Sequence, residues 1–445
     1  MKPAGFDSST GAAPASGVLG ALERARAAFT AGNPRSYAAH QIAARVMPGG
    51  NTRTTLFHSP FPLTMLGGAG CRMTDVDGHE YVDLLGEYTA GLYGHNNPVI
   101  RAAIDEALDN GWNLGAHGVP EARLAALLTE RFPSLDLVRF TNSGTEANLL
   151  ALATARAQTG RTKVLVFDGA YHGSILSFGR GGAAAINAPH EWIIGTYNDT
   201  RGTAELIAEH AAELAAVLVE PMLGSGGCVP AAPSFLEMLR VRTREAGTLL
   251  IFDEVMTSRM SAGGMQARLG ITPDLTTLGK YLGGGMTFGA FGGRSDLMAM
   301  YDPRSPVAVP HSGTFNNNVL SMAAGFAGLS EIFGADVASA LFDRGEVLRR
   351  RLNELCTGTD IPMQWTGLGS LMTVHFQREA IRSAKDIREA PELRELFHLD
   401  MLARGFYLAR RGMVALSLEI GDAECDAFVA AVADFLRRPP SSPTA

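Results

Sequence analysis

Five short apolar runs constrain what this chain can fold into more than any other feature. They cover residues 137–141, 163–167, 216–220, 249–252 and 275–278, and helical patterns separate most of them. A run of four or five apolar residues bounded by turn residues fits a buried strand and is too short for a helix. Strands alternating with helices build a parallel sheet with helices on both faces. The expected fold class is therefore α/β, a large domain built on a mainly parallel sheet, and the C-terminal part reads as a smaller α+β domain. In an open sheet of this kind, ligands bind at the carboxyl ends of the strands. The residues that close each run are where function should be sought.

Those closing residues are chemically pointed. The 249–252 run ends in Asp253 and Glu254, and the 275–278 run ends in Gly279 and Lys280, with glycines at 283, 284 and 285. The chain has four lysines, Lys2, Lys163, Lys280 and Lys385, and otherwise uses arginine. A lysine in an apolar, glycine-rich setting has two readings at this point: an amine whose pKa burial lowers for covalent chemistry, or a strand-end cation paired with Asp253 or Glu254. After the first run, Ser143, Gly144 and Thr145 open a long helix. Free amides, two hydroxyls and the positive dipole end make a phosphate seat, and Ser143 with Glu146 also spells a capping box. The second run leads to Tyr171 and His172, suited to stacking on a planar cofactor or to a plain turn. The third ends in Glu220, before a cluster at Gly224, Gly226 and Gly227 that matches neither a Walker loop nor a dinucleotide fingerprint. Arg53, just after the Pro48–Gly50 break, is either a bidentate carboxylate clamp or a solvated loop residue. The polar loop 311–318 is either a ligand contact or an ordinary helix start.

The remaining features bound the problem. A length of 445 residues makes two domains the natural prior. A net charge of −7 argues against a nucleic-acid partner held by bulk electrostatics. No run has transmembrane length, and no apolar segment follows Lys2, so neither a membrane partner nor a signal peptide is expected. The four cysteines, Cys71, Cys228, Cys356 and Cys425, form no CxxC pair and fit reduced thiols in a cytoplasmic protein. The histidines show no ligand spacing, so no metal is expected. Residues 5–18 are small and polar and read as disordered, and the Pro- and Ser-rich tail reads as frayed. The expected division is 1–34 as a flexible segment and helix, 35–85 as the first part of the small domain, 86–333 as the large domain and 334–445 as the rest of the small domain. Tyr88, Tyr93, Phe288, Phe291 and Met256 can line an aromatic pocket or belong to the core.

Taken in order, the sequence NSGTEAN at 142–148, Tyr171-His172-Gly173, Glu220-Pro221, Asp253-Glu254-Val255-Met256 and Gly279-Lys280 resembles the class III aminotransferases, which are fold-type-I pyridoxal phosphate enzymes. The resemblance spans about residues 35–435. It implies pyridoxal 5'-phosphate as cofactor, Lys280 as the Schiff-base lysine and Asp253 as the partner of the ring nitrogen. It implies a phosphate cup at Ser143, Gly144 and Thr145, ring contacts from Tyr171, Val255 and Met256, and His172 and Glu220 on the cofactor side. Thr314 resembles a threonine that reaches the neighbouring subunit's phosphate, which implies a homodimer with shared sites. PGGN at 48–51 resembles the glutamate-1-semialdehyde aminomutase branch. Arg53, in Asn51-Thr52-Arg53, departs from the mutase pattern. With the 311–318 loop and the Arg410-Arg411-Gly412 segment, it resembles the β-amino-acid aminotransferases of the same branch. That branch implies amino transfer from an aromatic or aliphatic β-amino acid to 2-oxoglutarate or pyruvate. Arg53 would hold the substrate carboxylate and Arg411 the distal carboxylate of a keto acid. The alternatives are the aminomutase and a non-catalytic protein on the same fold.

Overall fold

The computed structural model describes residues 17–179 and 181–437. Most of the 5–18 segment and the Pro- and Ser-rich tail lie outside the described residues.

The apolar runs form one sheet. Its strands are β1 (Leu137–Thr141), β2 (Lys163–Phe167), β3 (Glu191–Gly195), β4 (Leu214–Val219), β5 (Leu249–Asp253), β6 (Leu275–Gly279) and β7 (Gly289–Gly293). Their spatial order is β1-β7-β6-β5-β4-β2-β3. β5 runs parallel to β4, with Leu249 opposite Ala216, and parallel to β6, with Ile251 opposite Leu275. Every residue of β4, β5 and β6 is buried. Strands covered on both faces need continuous apolar runs rather than alternation, which is why these stretches are so plain in the sequence.

Two strands depart from the sequence reading. Residues 174–200 read as loop, yet residues 191–195 form β3, parallel to β2 at the sheet edge. β7 is antiparallel to both β6 and β1, so the sheet is mixed. Its sequence, Gly-Ala-Phe-Gly-Gly, lacks the β-branched signal of a strand. Packing explains the glycines: a Cβ on Gly289 would come within 2.2 Å of the Ser143 carbonyl oxygen.

Helix α1 (Gly144–Thr159) packs on β7 and β6. A second, four-stranded sheet joins the two ends of the chain: Phe406–Tyr407 runs parallel to Glu80–Asp83, which pairs with Arg72–Asp75 and through it Met65–Ala69. Residues 72–83 form a hairpin, and Asp77 in its turn accepts amides of Arg35 and Ser36 at 2.7 and 2.9 Å. Gln364–Leu368, Leu371–His375 and Met413–Ala415 form a third sheet. No single helix among the described residues is long and apolar enough to cross a membrane.

Candidate active site

The carboxyl ends of β2, β4, β5 and β6 and the N-terminus of α1 enclose a cavity of about 270 Å³. Asp253 closes β5 and is the best-anchored group in it. One carboxylate oxygen accepts from Asn148 Nδ2 at 2.9 Å and meets His172 Nδ1 at 2.8 Å, and the other accepts from the Val255 amide at 3.0 Å. Asn148, on α1, also donates to the His172 carbonyl and accepts from Thr277 on β6, so a helix and two strands fix one carboxylate. Glu254 points away. It takes the amides of Met265 and Gln266, the Gln266 side chain and the Thr257 hydroxyl, a structural role.

Lys280 makes no ion pair with either acid. Its Nζ donates to the Tyr88 carbonyl at 2.9 Å. Its backbone sits at φ 59°, in the left-handed region, at a cost of about 1–2 kcal/mol for a residue with a Cβ. Lys280 is half-buried and lines the cavity. Burial, aided by the Arg411 charge and opposed by Asp253, lowers its pKa from the ordinary 10.5 to about 8. Glu220 accepts the Tyr171 amide at 3.0 Å and the Gly224 amide at 2.9 Å. Burial pushes its carboxyl up to about 7, against the pull of His172 and those two amides.

Ser143 caps α1, accepting the Glu146 amide at 3.2 Å, while Glu146 reaches back to the Asn142 amide at 2.9 Å. The cap leaves other first-turn amides without an intrahelical acceptor. The cradle is tight: a Cβ on Gly144 would lie 2.8 Å from Val255 Cγ2, and one on Gly173 2.3 Å from Thr145 Oγ1.

Eleven of the residues singled out from sequence line this one cavity: Ser143, Gly144, Thr145, Tyr171, His172, Glu220, Asp253, Val255, Met256, Lys280 and Phe288. Asn142, Asn148 and Gly173 complete it. Asn148 was the important omission. It stands in the NSGTEAN stretch, but its role depends on a strand 105 residues away. Of the aromatic candidates, Tyr93 and Phe291 are buried core. Arg53 and Arg411 stand outside the cavity and converge on Tyr88, their guanidinium carbons 5.4 and 5.1 Å from its ring centre. Arg53 also pairs with Glu87, which the sequence did not flag. Thr314 is exposed and does not line its own chain's cavity.

A lone amine, an anchored carboxylate and a helix terminus with a glycine cradle fit a pyridine aldehyde phosphate. Such a group would sit here at the edge of an α/β sheet. The family model for class III aminotransferases matches residues 57–180 and 182–436. The chain belongs to the class III aminotransferases, a pyridoxal phosphate-dependent family, and is a transaminase. The β-phenylalanine transaminase of Variovorax paradoxus is 50% identical over 418 residues, covering 94% of this chain and 96% of that protein. Its crystal structure matches with a TM-score of 0.93 at 49% identity, over 94% of this chain and 97% of that one. A glutamate-1-semialdehyde 2,1-aminomutase of Nitratidesulfovibrio vulgaris is 36% identical, covering 91% of this chain and 99% of that protein. A transaminase solved with pyridoxal phosphate bound matches at a TM-score of 0.81 and 32% identity, over 91% and 97% of the two chains.

Proposed function

We propose that the enzyme transfers the amino group of a β-amino acid, with an aromatic or aliphatic side chain, to 2-oxoglutarate or pyruvate. The observation that carries this reading is the pair of arginines against Tyr88, the residue whose carbonyl accepts the Lys280 amine. A β-amino acid carries its carboxylate one carbon farther from the reacting carbon than an α-amino acid does. Guanidinium groups set beyond Tyr88, outside the cavity around Lys280, suit that longer reach. The similarity to the Variovorax transaminase supports the same substrate class.

The bound cofactor supplies a ring that takes up the electron pair of the broken C–H bond. Asp253 would hold the ring nitrogen's proton, with Asn148 and His172 fixing the carboxylate. Ser143, Gly144 and Thr145 would hold the phosphate, and Tyr171, Val255 and Met256 would cover the ring. Lys280 moves the proton at the carbon that bears the amine, and its lowered pKa leaves a share of free base near neutral pH. Arg53 orients the donor's carboxylate, and Arg411 receives the distal carboxylate of a dicarboxylic acceptor. Thr314, exposed beside the outward-facing Phe315, would reach the phosphate of a neighbouring subunit in a homodimer. The pairing of residues 406–407 with 80–83 supports a small domain built from both chain ends, with 86–333 as the large domain. Unpaired cysteines suit a cytoplasmic setting.

The test is amino transfer from β-phenylalanine to 2-oxoglutarate by the holoenzyme, followed as released glutamate. Arg53→Ala is expected to raise KM for the β-amino acid far more than it lowers kcat. Turnover of glutamate semialdehyde without any keto acid, and none of β-amino acids, would replace this reading with the aminomutase.

A further inference from the structure

Gly86, Glu87, Tyr88 and Thr89 form one left-handed turn, with φ of 52°, 48°, 52° and 82°. Three of the four carry a Cβ, and such residues keep that conformation only where their surroundings over-determine it. A cavity of about 340 Å³ borders Asp83, Leu85, Glu87 and His95, so packing is open on that side of the turn. Thr89 is buried with its hydroxyl unpartnered, so that hydroxyl does not hold the turn either. A buried carboxylate does. Asp83 closes the strand Glu80–Asp83 and is 5% exposed. Its Oδ1 accepts the amides of Leu85 and Gly86, both at 2.9 Å, and its Oδ2 meets His95 Nε2 at 3.0 Å. The His95 backbone is itself fixed to Gly70, amide to carbonyl in both directions, at 2.7 and 3.0 Å.

The turn delivers Tyr88 to the site at two points. The Tyr88 carbonyl accepts Lys280 Nζ at 2.9 Å, and its ring meets Arg53 and Arg411. The Tyr88 hydroxyl donates to the Thr55 carbonyl at 2.9 Å, in the segment that follows Arg53. We propose that Asp83 is a positioning residue for amino transfer. By holding the left-handed turn, it sets where the Lys280 amine rests and where the Tyr88 ring stands against the two arginines. The task needs a short acceptor side chain, because Asp and Asn reach back to backbone amides just ahead of them and longer acids do not. It does not need the charge. The charges that act on the Lys280 amine are those of Arg411, Asp253, Arg53 and Glu220, so Asp83 reaches it through the turn. The effect on Lys280 holds whichever amino acid the enzyme uses. The effect through the ring rests on Arg53 and Arg411 being carboxylate sites.

Two exchanges at Asp83 separate position from charge. Asp83→Asn keeps the short acceptor, and Asp83→Glu keeps the charge on a side chain one carbon longer. Carbamylation of Lys280 by cyanate in the cofactor-stripped enzyme, followed over a pH series, reads the amine with no substrate present. An ammonium that loses its carbonyl acceptor loses stabilisation of the charged form. In Asp83→Glu the Lys280 midpoint should therefore fall by about one pH unit, and in Asp83→Asn it should stay in place. His95→Leu alters a side chain that is 31% exposed and spares the core, so it serves where Asp83→Glu does not fold. It should move the midpoint in the same direction as Asp83→Glu. In the holoenzyme, Asp83→Glu should also raise KM for β-phenylalanine about tenfold. A Lys280 midpoint unmoved in Asp83→Glu or in His95→Leu overturns the proposal, and so does a fall in Asp83→Asn as large as in Asp83→Glu. Failure of the unaltered enzyme to turn over β-amino acids would remove the substrate reading and leave the Lys280 result to decide this one.

Discussion

The lysine chemistry can be read directly, because the chain has only four lysines and they fall on separable peptides. Cyanate carbamylates uncharged amines, so the cofactor-stripped enzyme treated with it across a pH series reports the free-base fraction of each lysine by peptide mass spectrometry. For Lys280 the drop from 10.5 to about 8 amounts to about 3 kcal/mol of differential stabilisation of the neutral amine. At pH 7.5 about a quarter of Lys280 would be free base, against about one part in a thousand for an ordinary lysine. Labelling should therefore level off around pH 8 to 9, about two orders of magnitude faster at neutral pH than an unshifted amine allows. Arg411 is a like charge that lowers the pKa, so Arg411→Met should move the midpoint up. Asp253 raises it, so Asp253→Asn should move it down. A Lys280 profile still climbing past pH 10, or a midpoint that falls in Arg411→Met, would refute the electrostatic account of this site.

Glu87→Gln frees Arg53 from its partner. The pair is about half exposed, with side chains 44% and 58% accessible, so its strength is at most about 1 kcal/mol. KM for a β-amino acid should fall by up to about fivefold with kcat unchanged, and a raised KM would count against Arg53 as the carboxylate site. Gly173→Ala puts a methyl 2.3 Å from Thr145 Oγ1 at a φ of 132°. It should destabilise the protein by about 2–3 kcal/mol and weaken phosphate binding, measured by urea unfolding and cofactor titration. His58 packs edge to face against His398 at 4.8 Å and against Phe29 at 5.6 Å. Burial lowers both, His58 to about 4, with Arg410 lowering both further and Glu395 opposing it at His58. The folded state thus binds fewer protons than the unfolded chain, whose histidines titrate near 6.5. Stability should fall as pH drops from about 6.5 towards 4, and His398→Leu should flatten that loss in a series of melting curves.

The sequence by itself determined five of the sheet's seven strands and the order of the site residues along them. Strands buried on both faces must be continuous apolar runs, and the polar residues that close them must stand at one sheet edge. Asp253, Lys280, Glu220, Tyr171 and the Ser143–Gly144–Thr145 cap were legible for that reason. What the sequence missed follows from the same physics. β7 was illegible because its residues answer to the backbones packed against it, and glycines there look like loop. The family resemblance already named Asp253 over Glu254, its neighbour of identical charge, and the tertiary structure shows the geometry behind that choice. One faces the cavity and the hydrogen bonds of Asn148 and His172, and the other faces Gln266, because side chains alternate along an extended chain. Only the fold shows where the Lys280 amine goes instead of to an acid, to the Tyr88 carbonyl. It also gathered Arg53 and Arg411, 358 residues apart in sequence, around one ring. Those encounters are set by long-range packing, and no local pattern of residues encodes them.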